Sequence, residues 1–185
     1  MSLNRKNRIL VFDTETTGLT LHPEAPLAKQ PKIIEFGAVV LEAGIAVEEF
    51  KLLLNPEEPL TEEITSITGL KDEDLRGAQP FREHVEWFRL LFGSCAGVMA
   101  HNLPFDKAMI MNDLRRAGVP LKEFPWPERE LCTVGLYKDA WGRNPKLLEL
   151  YEDILGKPLA QTHRALDDVK ALVEIIQEEE LWALA

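Results

Sequence analysis

The stretch Arg8-Ile-Leu-Val-Phe-Asp-Thr-Glu-Thr-Thr-Gly-Leu19 decides how this chain is read. An apolar, β-prone segment, Ile9 to Phe12, runs straight into two carboxylates one residue apart, Asp13 and Glu15. In a strand, residues i and i+2 share a face, with Cα atoms roughly 6.5 Å apart. The spacing predicts two acids side by side at the end of a buried strand, where a lone charge is costly. A bound cation relieves that cost, and carboxylate oxygens suit Mg²⁺ or Mn²⁺. Two such ions about 3.5–4 Å apart are a common device for cleaving phosphodiesters.

Outward from this strand, residues 33–41 and 48–54 read as two further strands, with Gly44 as the hairpin turn between them. Residues 22–31 hold three prolines and read as an exposed loop. Helical patterning begins after Pro56. Residues 61–69 start at a capping threonine and stop at a glycine, and 72–75 form a further short turn. Residues 80–92 place Phe81, Val85, Phe88 and Phe92 at helical spacing. Residues 97–100 form a short buried strand leading into a helix that ends near Gly118. A proline-rich loop at 119–128 and helices at 133–141, 146–155 and 164–182 complete the chain. Strands followed by alternating helices and a strand predict an α/β fold, a central mixed sheet flanked by helices, in one domain over residues 1–185.

The bulk numbers set outer bounds. The 185 residues, 45% hydrophobic and 28% charged, are ordinary for one globular domain. No apolar run approaches the roughly 20 residues of a transmembrane helix, and the polar start lacks a signal-peptide core. The expectation is a cytoplasmic protein with no membrane partner. A net charge of −10 argues against a broad basic face gripping long duplex DNA. It leaves room for a short groove and a bound terminus, because cations held by an acid cluster offset its charge locally. Cys95 and Cys132 have no metal-type spacing and read as buried thiols.

Two further acid-bearing segments complete a constellation. Asn102-Leu-Pro-Phe-Asp106 follows a strand and opens a helix, and His163-Arg-Ala-Leu-Asp-Asp168 opens the last long helix. The three segments together resemble the motifs of the DEDDh 3′→5′ exonucleases, the superfamily of the proofreading epsilon subunit of bacterial DNA polymerase III. Asp13 and Glu15 match Asp-x-Glu, Asp106 ends Asn-x-x-Phe-Asp, and His163 and Asp168 bound His-x-Ala-x-x-Asp. Lys32-Ile-Ile-Glu-Phe-Gly37, Ile67-Thr-Gly-Leu70 and Leu131-Cys-Thr133 add weaker likeness between them. The resemblance implies a ribonuclease H-like fold and two Mg²⁺ or Mn²⁺ ions. It also implies that Asp13 is shared by both metals, that Glu15 and Asp168 complete the first, and that Asp106 serves the second. His163 then takes a proton from the attacking water, a task that suits an imidazole at neutral pH. It further implies that the Thr16 backbone N–H meets the terminal 3′-hydroxyl, that Leu19 wedges beside the last base, and that Phe105 and Asn102 lie in contact range.

Each residue also has a plainer reading. Acids near helix starts, such as Asp106 and Asp168, are favoured by the dipole alone. Asp167 adjoins Asp168 and competes as ligand, although the family spacing selects Asp168. His101 is the rival base and reads as structural or substrate-contacting. Glu35 reads as a buried acid bonded to backbone or to a nearby side chain, and Leu19 as a core residue if it is not a wedge. Leu181, Trp182 and Leu184 either pack the last helix end or form a docking peptide. The leading expectation is a 3′→5′ exonuclease acting on single-stranded DNA ends, in proofreading or end trimming. An exoribonuclease of the ribonuclease T or oligoribonuclease type is the alternative, and a non-catalytic binder of nucleic acid or polymerase the third. A DNA polymerase is a candidate partner. The chain stops directly after its last helix, without the epsilon subunit's C-terminal extension, so a stand-alone or surface-recruited nuclease is expected.

Overall fold

The computed structural model describes residues 7–160 and 162–184. Strand β1 (Arg8–Thr16) lies at the centre of a five-stranded sheet with β2 (Ile33–Glu42), β3 (Ile45–Leu53), β4 (Gly97–Ala100) and β5 (Arg129–Cys132). The order across the sheet is β3-β2-β1-β4-β5. The β3–β2 and β2–β1 pairs are antiparallel, and the β1–β4 and β4–β5 pairs are parallel. The helices are α1 (Glu62–Thr68), α2 (Asp72–Leu75), α3 (Val85–Gly93), α4 (Leu103–Arg116), α5 (Thr133–Trp141), α6 (Leu147–Leu155) and α7 (Ala165–Glu178).

Alternation along β1 splits the core in two. Leu10 and Phe12 pack with Phe36, Phe88, Phe92 and Ile110 under α3 and α4. Ile9 and Val11 pack with Leu150, Val169, Leu172 and Ile176 under α6 and α7. The period of two therefore carries Asp13 and Glu15 out on the α7 face and Thr14 on the α4 face. Covering on both sides explains why β2 is buried continuously from Ile33 to Leu41. The mixed sheet between helical layers is the one expected from the sequence.

The hairpin between β2 and β3 turns through Ala43 and Gly44, with φ of +49° and +82°. Two left-handed residues make the tight turn that matches strand twist. A Cβ at Gly44 would also meet the Trp182 indole at 2.6 Å. Trp182 packs on this turn and Leu181 is buried, while Leu184 stays exposed.

Several boundaries depart from expectation. Strand β5 was not foreseen: its four residues, Arg-Glu-Leu-Cys, carry two exposed charges and follow a proline loop at the sheet edge, so no alternation could develop. Strand β3 begins at Ile45 instead of 48, and α7 ends at Glu178, with Glu180 in the left-handed region starting a 3₁₀ turn. The 80–92 segment opens with a 3₁₀ turn at Phe81–His84 before α3. Cys95 is buried, but Cys132 is only partly so and its Sγ accepts from the Gly135 N–H at the start of α5.

Candidate active site

The carboxyl ends of β1 and β4 and the start of α7 meet at one edge of the sheet. Oxygens of Asp13, Glu15 and Asp168 lie within 4.8 Å of one another. Asp167 turns away, is exposed, and accepts a hydrogen bond from Thr162 Oγ1 at 2.7 Å. Asp106, 1% exposed on the first turn of α4, stands outside this three-acid group. Its Oδ1 accepts from the Thr14 N–H at 3.1 Å and Thr14 Oγ1 at 2.7 Å. Thr14, which the sequence reading passed over, thus ties the second motif to the first strand from the opposite face.

Burial and mutual repulsion set the electrostatics. Desolvation, then the neighbouring Asp106, Glu15 and Asp168, hold the Asp13 carboxyl well above the usual carboxylate range. Desolvation and Asp168, with Glu35 and Asp106 behind, push Glu15 up to about 8, and Arg164 opposes them. Asp106 rises to about 7 through desolvation, moderated by its bonds to Thr14. Carboxylates that resist ionising next to each other accept it readily once cations stand between them. The donor set is carboxylate oxygen throughout, which suits Mg²⁺ or Mn²⁺ and not a thiophilic metal.

Around this group runs a cleft lined by Asp13, Asn102, Asn144, Lys146, His163 and Asp168. His163 is exposed, with a left-handed backbone at φ +51°. His101 borders the same cleft but both of its nitrogens are engaged. Nδ1 lies 2.9 Å from Thr133 Oγ1, and Nε2 lies 3.1 Å from the Pro145 carbonyl. A carbonyl only accepts, so Nε2 carries the proton and Nδ1 accepts from the threonine. Burial also lowers the pKa of His101. These two contacts tie the start of α5 to the loop of Asn144 and Lys146. The sequence placed Lys146 at a helix start and gave no sign that it or this loop would line the cleft.

The remaining predicted contacts differ in burial. Leu19 is 80% exposed, so it is not a core residue. Thr16 is buried and its Oγ1 donates to the Gly18 carbonyl at 2.7 Å. Asn102 is exposed at φ +70° just before α4, and Phe105 is half-buried at the edge of the core. Glu35, paired across strands with Glu15, is 0% exposed and meets both backbone and side chain. Arg164 donates Nε to Oε2 at 2.9 Å and Nη2 to Oε1 at 2.7 Å, and the Ala165 N–H reaches Oε2 at 3.2 Å.

Known proteins resemble this chain in sequence and fold. The RNase T family model, an exonuclease family, matches residues 10–176. A PolC-type DNA polymerase III of Caldanaerobacter subterraneus is 33% identical over 92% of this chain, which spans 11% of the polymerase. The 3′-5′ exonuclease DinG of Bacillus subtilis is 35% identical over 89% of this chain, which spans 17% of that protein. Among solved structures, the nuclease domain of 3′hExo, a DEDDh family member bound to rAMP, superposes with a TM-score of 0.71 at 19% identity. That match covers 96% of this chain and 94% of the other. By the matched exonuclease domain and the motif residues it spans, this chain belongs to the DEDDh 3′→5′ exonuclease family.

Proposed function

We propose that this chain, as a single catalytic domain, removes nucleoside 5′-monophosphates one at a time from the 3′ ends of single-stranded DNA. The observation that carries the reading is the convergence of Asp13, Glu15 and Asp168 oxygens within 4.8 Å, with buried Asp106 behind them. Asp13, Glu15 and Asp168 would hold one divalent cation, and Asp13 with Asp106 a second. Bound Mg²⁺ or Mn²⁺ supplies water activation and neutralises charge on the phosphate and the leaving 3′ oxygen.

The chain's own groups do the rest. His163, exposed in the cleft, takes the proton of the attacking water. His101 is left out of that role by its two engaged nitrogens. Leu19, standing free of the core, contacts the last base, and Thr16, Asn102 and Phe105 border the terminal nucleotide. Such contacts read an unstacked base and a free end, not a sequence. DNA is proposed as substrate because the polymerase and DinG relatives share the greater sequence identity. RNA is the second reading, favoured by the rAMP bound to the 3′hExo domain. A DNA polymerase is the proposed partner and the cytoplasm the proposed setting. Among the described residues no helix is long and apolar enough to cross a membrane.

The test uses matched 5′-labelled single-stranded DNA and RNA with Mg²⁺, Mn²⁺ or EDTA, beside Asp13→Ala. A metal-dependent ladder shrinking from the 3′ end, absent in the variant, is expected, with DNA the faster substrate. Absence of a ladder under either metal from a folded sample would overturn the reading, and faster RNA decay would reverse the substrate.

A further inference from the structure

His163 stands on a segment whose local tie is the bond from Thr162 to Asp167, and its own side chain adds none. It is exposed, its φ of +51° is an uncommon and mildly strained conformation for a non-glycine residue, and its ring bonds to no other described residue. The following residue is anchored from two directions. Arg164 meets Glu35 through two parallel bonds of 2.9 and 2.7 Å, a planar fork that sets direction as well as distance. The same carboxylate accepts the Ala165 N–H at 3.2 Å, at the electropositive start of α7. Two residues along β2, Gly37 lets the backbone of α7 settle onto the strand. A Cβ there would lie 2.3 Å from the Leu166 nitrogen and 2.4 Å from the Ala165 carbonyl carbon.

We propose that Glu35 is a positioning residue of the hydrolytic site: through Arg164 and the first N–H of α7 it fixes the backbone on which His163 and Asp168 stand. Stability alone does not account for this carboxylate. A well-packed apolar side chain anchors a helix as well as a buried ion pair does, or better. Glu35 also adds negative charge beside Asp13 and Glu15, where it opposes their ionisation. What the pair supplies is orientation. Arg164 is the residue between the anchor and His163, so its guanidinium plane determines where the left-handed step falls. The inference rests on the exonuclease reading only for its catalytic consequence.

The experiment compares Arg164→Met, Arg164→Lys, Glu35→Gln and the double variant Glu35→Gln/Arg164→Met in the full chain. Turnover of 5′-labelled single-stranded DNA with Mg²⁺ is read as kcat and KM, with thermal melts and backbone amide spectra of the same samples. The expected result is a kcat lower by about 10–100-fold with KM within about twofold, the size of a misplacement near 1 Å. The double variant should be no worse than either single one, and Arg164→Lys should recover part of the loss. In Arg164→Met, amide signals of His163 and Asp168 should shift or broaden while that of Asp13 holds. Unchanged kcat, single effects that multiply, or unmoved His163 and Asp168 signals would each overturn the proposal. If Glu35→Gln fails to fold, Arg164→Met, at the partly exposed end of the pair, still decides it. A wild type inactive on both DNA and RNA would sink the exonuclease reading, and the amide signals would still judge the seat.

Discussion

Replacing Glu15 by Gln should stabilise the metal-free protein and at the same time weaken its response to Mg²⁺. In the folded chain the Glu15 carboxyl is pushed from the ordinary 4.5 up to about 8, first by desolvation and then by Asp168. The folded value lies above the unfolded one, so the penalty is absent below about pH 4.5, grows through the interval, and is complete above about pH 8. At roughly 1.4 kcal/mol per tenfold, the full span is about 5 kcal/mol. Partial solvent access and relaxation reduce what a melt will show, and about 2 kcal/mol is the expected gain at pH 8.5. For a chain of this length that is a rise in Tm of roughly 4–8 °C.

The assay is thermal unfolding in EDTA at about pH 5 and about pH 8.5, then at the higher pH with Mg²⁺. Wild type should lose stability as pH rises, and Glu15→Gln should lose less. A smaller slope remains from Asp106, which titrates at about 7 in the same window. Mg²⁺ at a hundred times its Kd adds roughly 2.7 kcal/mol to wild type, and the variant should recover only a fraction. A variant that melts below wild type in EDTA at high pH, or a wild type indifferent to Mg²⁺, would refute the picture of crowded carboxylates waiting for cations.

Three other perturbations have defined outcomes. His163→Ala should lower kcat by roughly 10²–10⁴-fold with little change in Tm, since the residue is exposed; a loss below tenfold would remove it as the base. Gly37→Ala should cost about 1–3 kcal/mol or more, because its methyl would strike the backbone of α7 and not a yielding side chain; an unchanged melting curve would contradict the close approach. Lys146→Ala, on the cleft wall, should weaken binding of labelled single-stranded DNA to an Asp13→Asn background. The slope of log affinity against log salt should fall by about 0.7 if one phosphate contact is lost.

The layout of sheet and helices was legible because its periodicities are long. Nine or ten residues of β1 and β2, and the phenylalanines spaced from Phe81 through α3, leave little choice of element or face. The acid positions were legible for different reasons: Asp13 and Glu15 because the end of a buried strand has no structural use for a charge, and Asp106 and Asp168, which a helix start favours anyway, only through the motif spacings they share with Asn102 and His163. What escaped notice depends on partners remote in sequence. Strand β5 is a strand only because β4 offers it an edge, through pairs such as Met99 with Leu131. The bond from Thr14 to Asp106 spans 92 positions, and the clasp of His101 on the Pro145 carbonyl spans 44. Neither leaves a local pattern, and the helical phase of α4 and the loop before α6 had to be known before either could be seen.

Glu15 and Glu35 show most clearly where sequence reading stops and geometry takes over. Both are glutamates on interior strands of the sheet, and they face each other across one register position. Their fates are opposite. Glu35 has its own cation, Arg164, two well-formed bonds to it, and a helix N–H besides. Its charge is settled within the chain. Among the described residues Asp13 and Glu15 have no arginine or lysine in such an embrace, and Arg164 only moderates Glu15 from a distance. A fold that settles one buried carboxylate with an internal guanidinium, yet leaves Asp13 and Glu15 crowded with no such partner, fits the proposal that their oxygens serve a cation from outside. An engineered arginine placed to satisfy Glu15 would therefore be expected to raise stability in EDTA and abolish the Mg²⁺ response together. Finding either effect without the other would separate the crowding of the acids from their use as ligands.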